Sequence, residues 1–269
     1  MSKRNSQSAK TAARERLRQE RERQAKRDRA RRQVIVAASV VGVLAAAGGI
    51  GYAVVQMNKP SYWEALKDAS VVAPANTTGT KGTTVVIGKD SAKKTLKIYE
   101  DPRCPVCAQF EQVVGSTVKK DIDDGKFKLQ FISGTFLDAH DNGTGSKNAL
   151  SALGAALNVS PEAFLEYKTA LYSAKWHPDE QTDKFKDDSY LIKVADTVPA
   201  LKNNTKFQDA VKKGTYDAWA MAMSKTFDDN KDGVTGTPSF VMDGKKLSDG
   251  KVILTVADFN SAVDAALKG

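Results

Sequence analysis

Hydrophobic and polar positions divide this chain of 269 residues into one long apolar run and a longer stretch of short, mixed periods. Val34 to Val55 reads VIVAASVVGVLAAAGGIGYAVV, 22 residues without a charge. As a helix this run spans about 33 Å, matching a bilayer core of roughly 30 Å, and it is predicted as a single transmembrane helix. Further along, Thr83 to Ile87 is predicted as a strand, Gly88-Lys89-Asp90 as a turn, and Leu96 and Ile98 mark a second strand. Cys107, Phe110, Val114 and Val118 then recur at helical spacing, and Gly125 ends that helix. Phe127, Leu129 and Phe131 alternate with Lys126, Lys128 and Gln130, the period of a strand with one buried face.

Residues 143–229 carry helical periods. Ala149, Leu150, Leu153 and Leu157 form one stripe. Ser160-Pro161-Glu162 is a helix start, followed by Phe164, Tyr167 and Leu171. Tyr190 to Val194 and Tyr216 to Met223 add two more helices. Ser239 to Met242 returns to strand, Asp243-Gly244 turns into Lys245 to Leu247, and Val252-Ile253-Leu254 is a candidate extension of that hairpin. Ala257 to Leu267 closes the chain as a helix with Phe259, Val263 and Leu267 inward.

Charge is distributed in a way that explains the apolar run. The formal net charge is +9, but residues 1–32 hold 13 Lys/Arg and 4 Asp/Glu. From totals of 41 and 32, the remainder keeps 28 of each sign and is neutral. The basic character is therefore a tail, expected on the cytoplasmic side of the membrane, with the C-terminal bulk exported. Ala45-Ala46-Ala47 resembles a cleavage site, but the basic region before the apolar run is long and the run continues past the alanines. An uncleaved signal anchor is expected. Topology and anionic lipid account for the tail, which lacks the aromatics that stack on bases, so no nucleic-acid partner is expected. The chain is divided into a tail (1–33), an anchor (34–55), a linker (56–80) and a domain (81–269) with a helical insertion at about 141–229. Tyr62 to Leu66 is expected as a short interfacial helix with Trp63 near the headgroups.

The chemistry concentrates in Asp101-Pro102-Arg103-Cys104-Pro105-Val106-Cys107, which contains both cysteines of the chain. A Cys-x-x-Cys pair opening a helix places the first sulfur at the helix N-terminus, where the dipole and free N–H groups favour the thiolate. Three residues apart on one face, the sulfurs are close enough to bridge, as nucleophile and resolving thiol in disulfide exchange. Arg103 is a positive neighbour that favours the same thiolate. Zinc needs about four ligands, and beyond this pair the sequence has only His140 and His177, both in polar stretches and expected in surface or helix-end roles. No metal and no bound cofactor are expected. A purely structural disulfide usually closes a longer loop. Asp228 to Gly233 fits the first half of a calcium loop, but its twelfth position is Ser239, and it is read as a polar connection.

The order is strand, Cys-x-x-Cys helix, strand, helical block, hairpin and helix. With Tyr99 to Cys107 at the front and Gly233-Val234-Thr235-Gly236-Thr237-Pro238-Ser239-Phe240 at the back, it resembles the DsbA family. His140 with Ser146 to Leu157, and Tyr216 to Met223, resemble the helical block of membrane-anchored DsbA-like proteins of Gram-positive bacteria. The resemblance implies an α/β thioredoxin fold with a helical insertion, preceded here by the transmembrane helix. It implies that Cys104 is the exposed nucleophile and Cys107 its buried resolving partner. Pro105 and Val106 would tune thiolate stability, and Thr237-Pro238 would be a cis-proline loop whose backbone pairs with substrate beside Cys104. The family's buried carboxylate six residues before the first cysteine is replaced by Ile98. Glu100 and Asp101 are nearby but, as strand-end carboxylates, are expected to be solvated.

The activity implied is disulfide formation in exported proteins, with reoxidation by a quinone-linked membrane partner. An extracytoplasmic reductant or isomerase of the same fold, or a thioredoxin-fold binding module without catalysis, are the alternatives the sequence leaves open.

Overall fold

The computed structural model describes residues 2–57, 61–140, 142–248 and 251–268. It divides into two compact units, Met1–Pro60 and Ser61–Gly269. The first contains helix α1 (Ser2–Met57), continuous from the basic tail through the apolar run. Among the described residues it is the one helix long and apolar enough to cross a membrane, and the apolar window is unburied. Residues 58–60, in the stretch read as linker, lie outside the described residues.

The second unit is built on a five-stranded mixed sheet in the order β1-β3-β2-β4-β5. Strand β1 (Val85–Ile87) pairs antiparallel with β3 (Lys128–Ser133), which pairs in parallel with β2 (Thr95–Glu100). Strand β4 (Ser239–Met242) lies antiparallel on the other side of β2, and β5 (Lys245–Lys246) closes the edge. Helix α3 (Pro105–Asp124) is the crossover between the parallel strands β2 and β3. Its C-cap, Gly125, sits at φ 77, a left-handed position that glycine adopts without steric cost. Phe110 on α3 packs 4.5 Å from Phe240 of β4 and 5.9 Å from Phe259 of α9 (Val256–Lys268), ring centre to ring centre. Burying each such ring contributes roughly 1.5–3 kcal/mol.

Between β3 and β4 stands the helical block: α4 (Gly145–Val159), α5 (Pro161–Tyr172), α6 (Asp188–Ala195), α7 (Thr205–Lys212) and α8 (Asp217–Asp228). Gly154 of α4 lies so close to α8 that a Cβ there would meet the Trp219 ring at 2.8 Å. One core runs through sheet and block, from Val85 to Val263.

Three sequence expectations change. Helix α7 was not anticipated; Asn204 caps it through the Phe207 N–H, and Phe207 and Val211 are its only buried residues. Val252-Ile253-Leu254 is not a strand, because Ile253 is buried in the core by its side chain rather than paired in a ladder. Residues 61–80, read as linker, pack on the block. Ser61 and Glu64 form a capping box that starts α2 (Tyr62–Ala65), and the Tyr62 hydroxyl donates to Asp217. Asn76 donates to the Leu157 carbonyl, and Trp219 Nε1–H to that of Gly82. The short helix at Tyr62 is therefore seated on protein through its tyrosine.

Candidate active site

The β2 strand leads directly into the Cys-x-x-Cys turn, and this connection sets the geometry. Cys104 is the N-cap of α3, and its Sγ accepts the Cys107 N–H at 3.3 Å. Pro105 occupies the first turn, where no backbone donor is lost. On the opposite side, the Cys104 thiol lies 3.6 Å from the Thr237 carbonyl oxygen, and the Thr237–Pro238 peptide bond is cis. The loop before β4 thus meets the helix N-terminus at the nucleophilic sulfur. Val106 packs with Cys104, Cys107, Leu137 and Tyr172 in a small apolar cluster, while Pro105 faces solvent.

The two sulfurs differ in environment. Cys107 is fully buried, and burial, then the neighbouring Cys104, pushes its thiol well up. The Cys104 thiol is lowered, chiefly by a hydrogen bond from the Cys107 thiol, against the cost of its own burial; the Thr237 side chain and the Cys107 N–H add to the lowering. Cys104 is only 5 % exposed, so the expected exposed nucleophile is in fact almost covered. The Thr237 hydroxyl is buried with no hydrogen-bond partner among the described residues, leaving it available to the sulfur. Thr237→Val, which keeps shape and removes that hydroxyl, is expected to raise the Cys104 pKa, read from the pH dependence of thiolate absorbance at 240 nm. An unchanged titration would remove Thr237 from the thiolate's environment.

Arg103 does not act as a free positive neighbour. It is 2 % exposed and is engaged by Asp138 at 3.2 Å, Asp183 at 3.6 Å and the Glu180 carbonyl. Its charge is matched where it stands, on the side of the turn facing the block. His140 is exposed as expected, but His177 is half-buried beside the active-site turn. Its Nε2 lies 3.2 Å from the Pro102 carbonyl and its ring stacks on Tyr172, with burial holding it below the usual histidine range.

Glu100 and Asp101 are completely buried, contrary to the expectation of solvated strand ends. Asp101 accepts from the Ser146 hydroxyl at 2.6 Å and from the backbone N–H groups of Arg103 and Leu137, and burial still pushes its carboxyl up to about 6. Glu100 Oε1 receives Lys168 Nζ at 3.3 Å, and the same ammonium reaches Glu111 Oε2 at 2.6 Å. Lys168 comes from α5, 68 residues away from Glu100. Burial pushes Glu100 up to about 7 against the pull of Lys168, whose own pKa burial lowers but the two glutamates hold above its usual value. Asp232, in the polar connection before β4, accepts from Lys97 and from the Tyr99 hydroxyl.

A carboxyl raised in the folded state keeps its proton after the unfolded chain has lost it. Stability therefore falls as pH rises between the ordinary value of 4.5 and about 7, and is level above. Glu100→Gln removes this contribution. Its stability relative to the parent is expected to rise from pH 5 to pH 7 in urea titrations; a difference constant with pH would contradict a raised Glu100.

The thioredoxin family model matches residues 80–265. The chain belongs to the thioredoxin family. Disulfide bond formation protein D of Bacillus subtilis is 26% identical over 189 residues, covering 68% of this chain and 77% of that protein. The structure of MdbA from Actinomyces oris, described as a thiol-disulfide oxidoreductase, superimposes with a TM-score of 0.60 at 21% identity, covering 74% of this chain and 94% of that one. A stretch of 118 residues is 24% identical to the serine/threonine-protein kinase PknE of Mycobacterium tuberculosis, 43% of this chain but only 21% of the kinase. The architecture is DsbA-like: a thioredoxin sheet interrupted by helices between β3 and β4.

Proposed function

We propose that this chain is a membrane-anchored thiol–disulfide oxidoreductase that introduces disulfides into exported proteins. The observation that carries the reading is the asymmetry of the pair: Cys104 at the α3 N-terminus with its pKa lowered, and Cys107 fully buried with its pKa raised. A stabilised Cys104 thiolate favours the reduced enzyme, which is the property of an oxidant. The relatives described as oxidoreductases and as a disulfide bond formation protein support the same reading.

In the oxidised enzyme, a substrate thiolate attacks Cys104 Sγ. The bond to Cys107 breaks, and the Cys107 thiolate takes up a proton. A second substrate thiolate then attacks the substrate sulfur of the mixed disulfide and releases Cys104 as a thiolate. The substrate is oxidised by two electrons and the enzyme reduced by two. The Thr237 backbone, beside Cys104, would pair with the extended substrate chain. Regeneration requires a membrane oxidant, for which a quinone-linked reoxidase is the reading. The α1 helix fits a single-pass anchor, with the basic tail cytoplasmic and the domain outside.

Equilibration with glutathione is expected to give a potential above thioredoxin's value of roughly −270 mV. Protease added to intact spheroplasts is expected to digest the domain. A potential at or below thioredoxin's, with the pair reduced in growing cells, would favour a reductant. Protection of the domain would reverse the topology.

A further inference from the structure

A cavity of about 450 Å³ opens on the sheet face between α3 and α5. Its inner walls are apolar: Ile98, Val118, Leu129 and Phe131 are buried, and Leu165 and Trp176 are half-buried nearer the surface. At the deep end stand Glu100, Glu111 and Lys168, and at the mouth the exposed Lys119, Glu166 and Lys175. Such a volume with a few convergent polar groups is that of a small-molecule site.

Hydrogen-bond accounting at the deep end leaves one atom over. Glu111 accepts from Lys168 through one oxygen and from the Thr169 hydroxyl through the other. The Lys168 ammonium reaches both glutamates and lies 5.2 Å above the Tyr172 ring centre. Glu100 spends Oε1 on Lys168, but its Oε2 is buried with no partner among the described residues. An unpaired buried polar oxygen is unfavourable, and a ligand donating to it would relieve that penalty.

We propose that the cavity is a binding site for an uncharged amphiphile with a hydroxyl head and a single unbranched or isoprenoid chain, the hydroxyl seated on Glu100. A hydroxyl both donates and accepts, so it satisfies Oε2 whether Glu100 is ionised or protonated. Two carboxylates around one ammonium disfavour an anionic head at the deep end. The cations at the mouth are already engaged, Lys119 with Asp123 and Lys175 over the Trp176 ring. At about 30 Å³ for each water-sized group, the cavity holds about 15 non-hydrogen atoms, the size of a C12–C14 alcohol. A chain carrying a helix apolar enough to cross a bilayer has such amphiphiles within reach.

The test is photolabelling of the full chain in phosphatidylcholine nanodiscs at pH 8. The probes are a C12 alcohol with a mid-chain diazirine and the carboxylate of the same chain, and labelled sites are mapped by mass spectrometry. The alcohol is expected to label peptides containing Val118 and Leu165–Trp176 at least tenfold more than the carboxylate does. Ala170→Trp, which fills the cavity from its half-buried rim, is expected to abolish that labelling while labelling of α1 by membrane-dissolved probe persists. Leu165→Trp serves if Ala170→Trp melts at a lower temperature. Glu100→Gln, which makes the deep end neutral, is expected to admit the carboxylate. Labelling confined to α1, cavity labelling indifferent to both tryptophans, or equal labelling by alcohol and carboxylate in the parent would each overturn the proposal.

Discussion

Cys107→Ser is expected to accumulate long-lived mixed disulfides between Cys104 and exported proteins, and Cys104→Ser to accumulate none. The asymmetry follows from the turn. Cys104 at the helix N-cap keeps the Cys107 N–H and the Thr237 side chain when the buried sulfur is replaced. It remains a nucleophile able to attack disulfides, although the thiol hydrogen bond that lowers its pKa most is exchanged for one from a serine hydroxyl. What disappears is the group that resolves the intermediate from within. Intramolecular attack by a well-placed group can reach an effective concentration on the order of 10⁵ M. Its loss is expected to lengthen the life of the mixed disulfide, whose release then depends on the substrate's own second thiol. Non-reducing gels of both variants, followed by identification of trapped proteins, check this directly. Equal trapping by the two would remove the assigned roles, and Cys104→Ser is expected to lose oxidase activity in any case.

The second large effect is on stability. Lys168→Met leaves Glu100 and Glu111 buried around an apolar side chain, and the expected loss is about 3–5 kcal/mol at pH 8. Glu100 is the group that responds to acid: with its pKa near 7, it is protonated at pH 5, so the loss is expected to shrink there. Glu100→Gln/Lys168→Met, which lacks the uncompensated charge on β2, is expected to recover part of the stability. Urea unfolding at pH 5 and pH 8 measures all three comparisons. A loss below about 1 kcal/mol at both pH values would mean that the ammonium is not what balances the buried acids.

The elements around the cysteines were legible because their signals are local. The Cys-x-x-Cys turn, the αL glycine at 125 and the alternation of Phe127, Leu129 and Phe131 each lie within a few residues, and each appears where the periods put it. Helix α7 was not legible for the same reason. Two apolar anchors, Phe207 and Val211, in eight residues otherwise mostly polar give too short a stripe to stand out, and the Asn204 cap is weak evidence alone. The charged floor of the site was invisible for a different reason. Glu100 looked like a solvated strand end because its partner, Lys168, approaches from a helix that the sequence places far away. The acids that engage Arg103 are just as distant in sequence: Asp138 and Asp183 are 35 and 80 positions on. Spacing reveals which residues share an element, whereas a buried charge is explained by the element packed on top of it.

The pairing of Lys168 with Glu100, and of Ser146 with Asp101, means that the helical block is not a detachable module. A shortened chain joining β3 directly to β4 would expose Phe131, which packs on Phe164 of α5, and would strand two acids at the end of the central strand. Sheet and block thus share one core and its buried ion pairs, and their slowest-exchanging amides are expected to share a common opening free energy. Any rearrangement of the block during the redox cycle would reach the cysteines through β2, without a separate hinge.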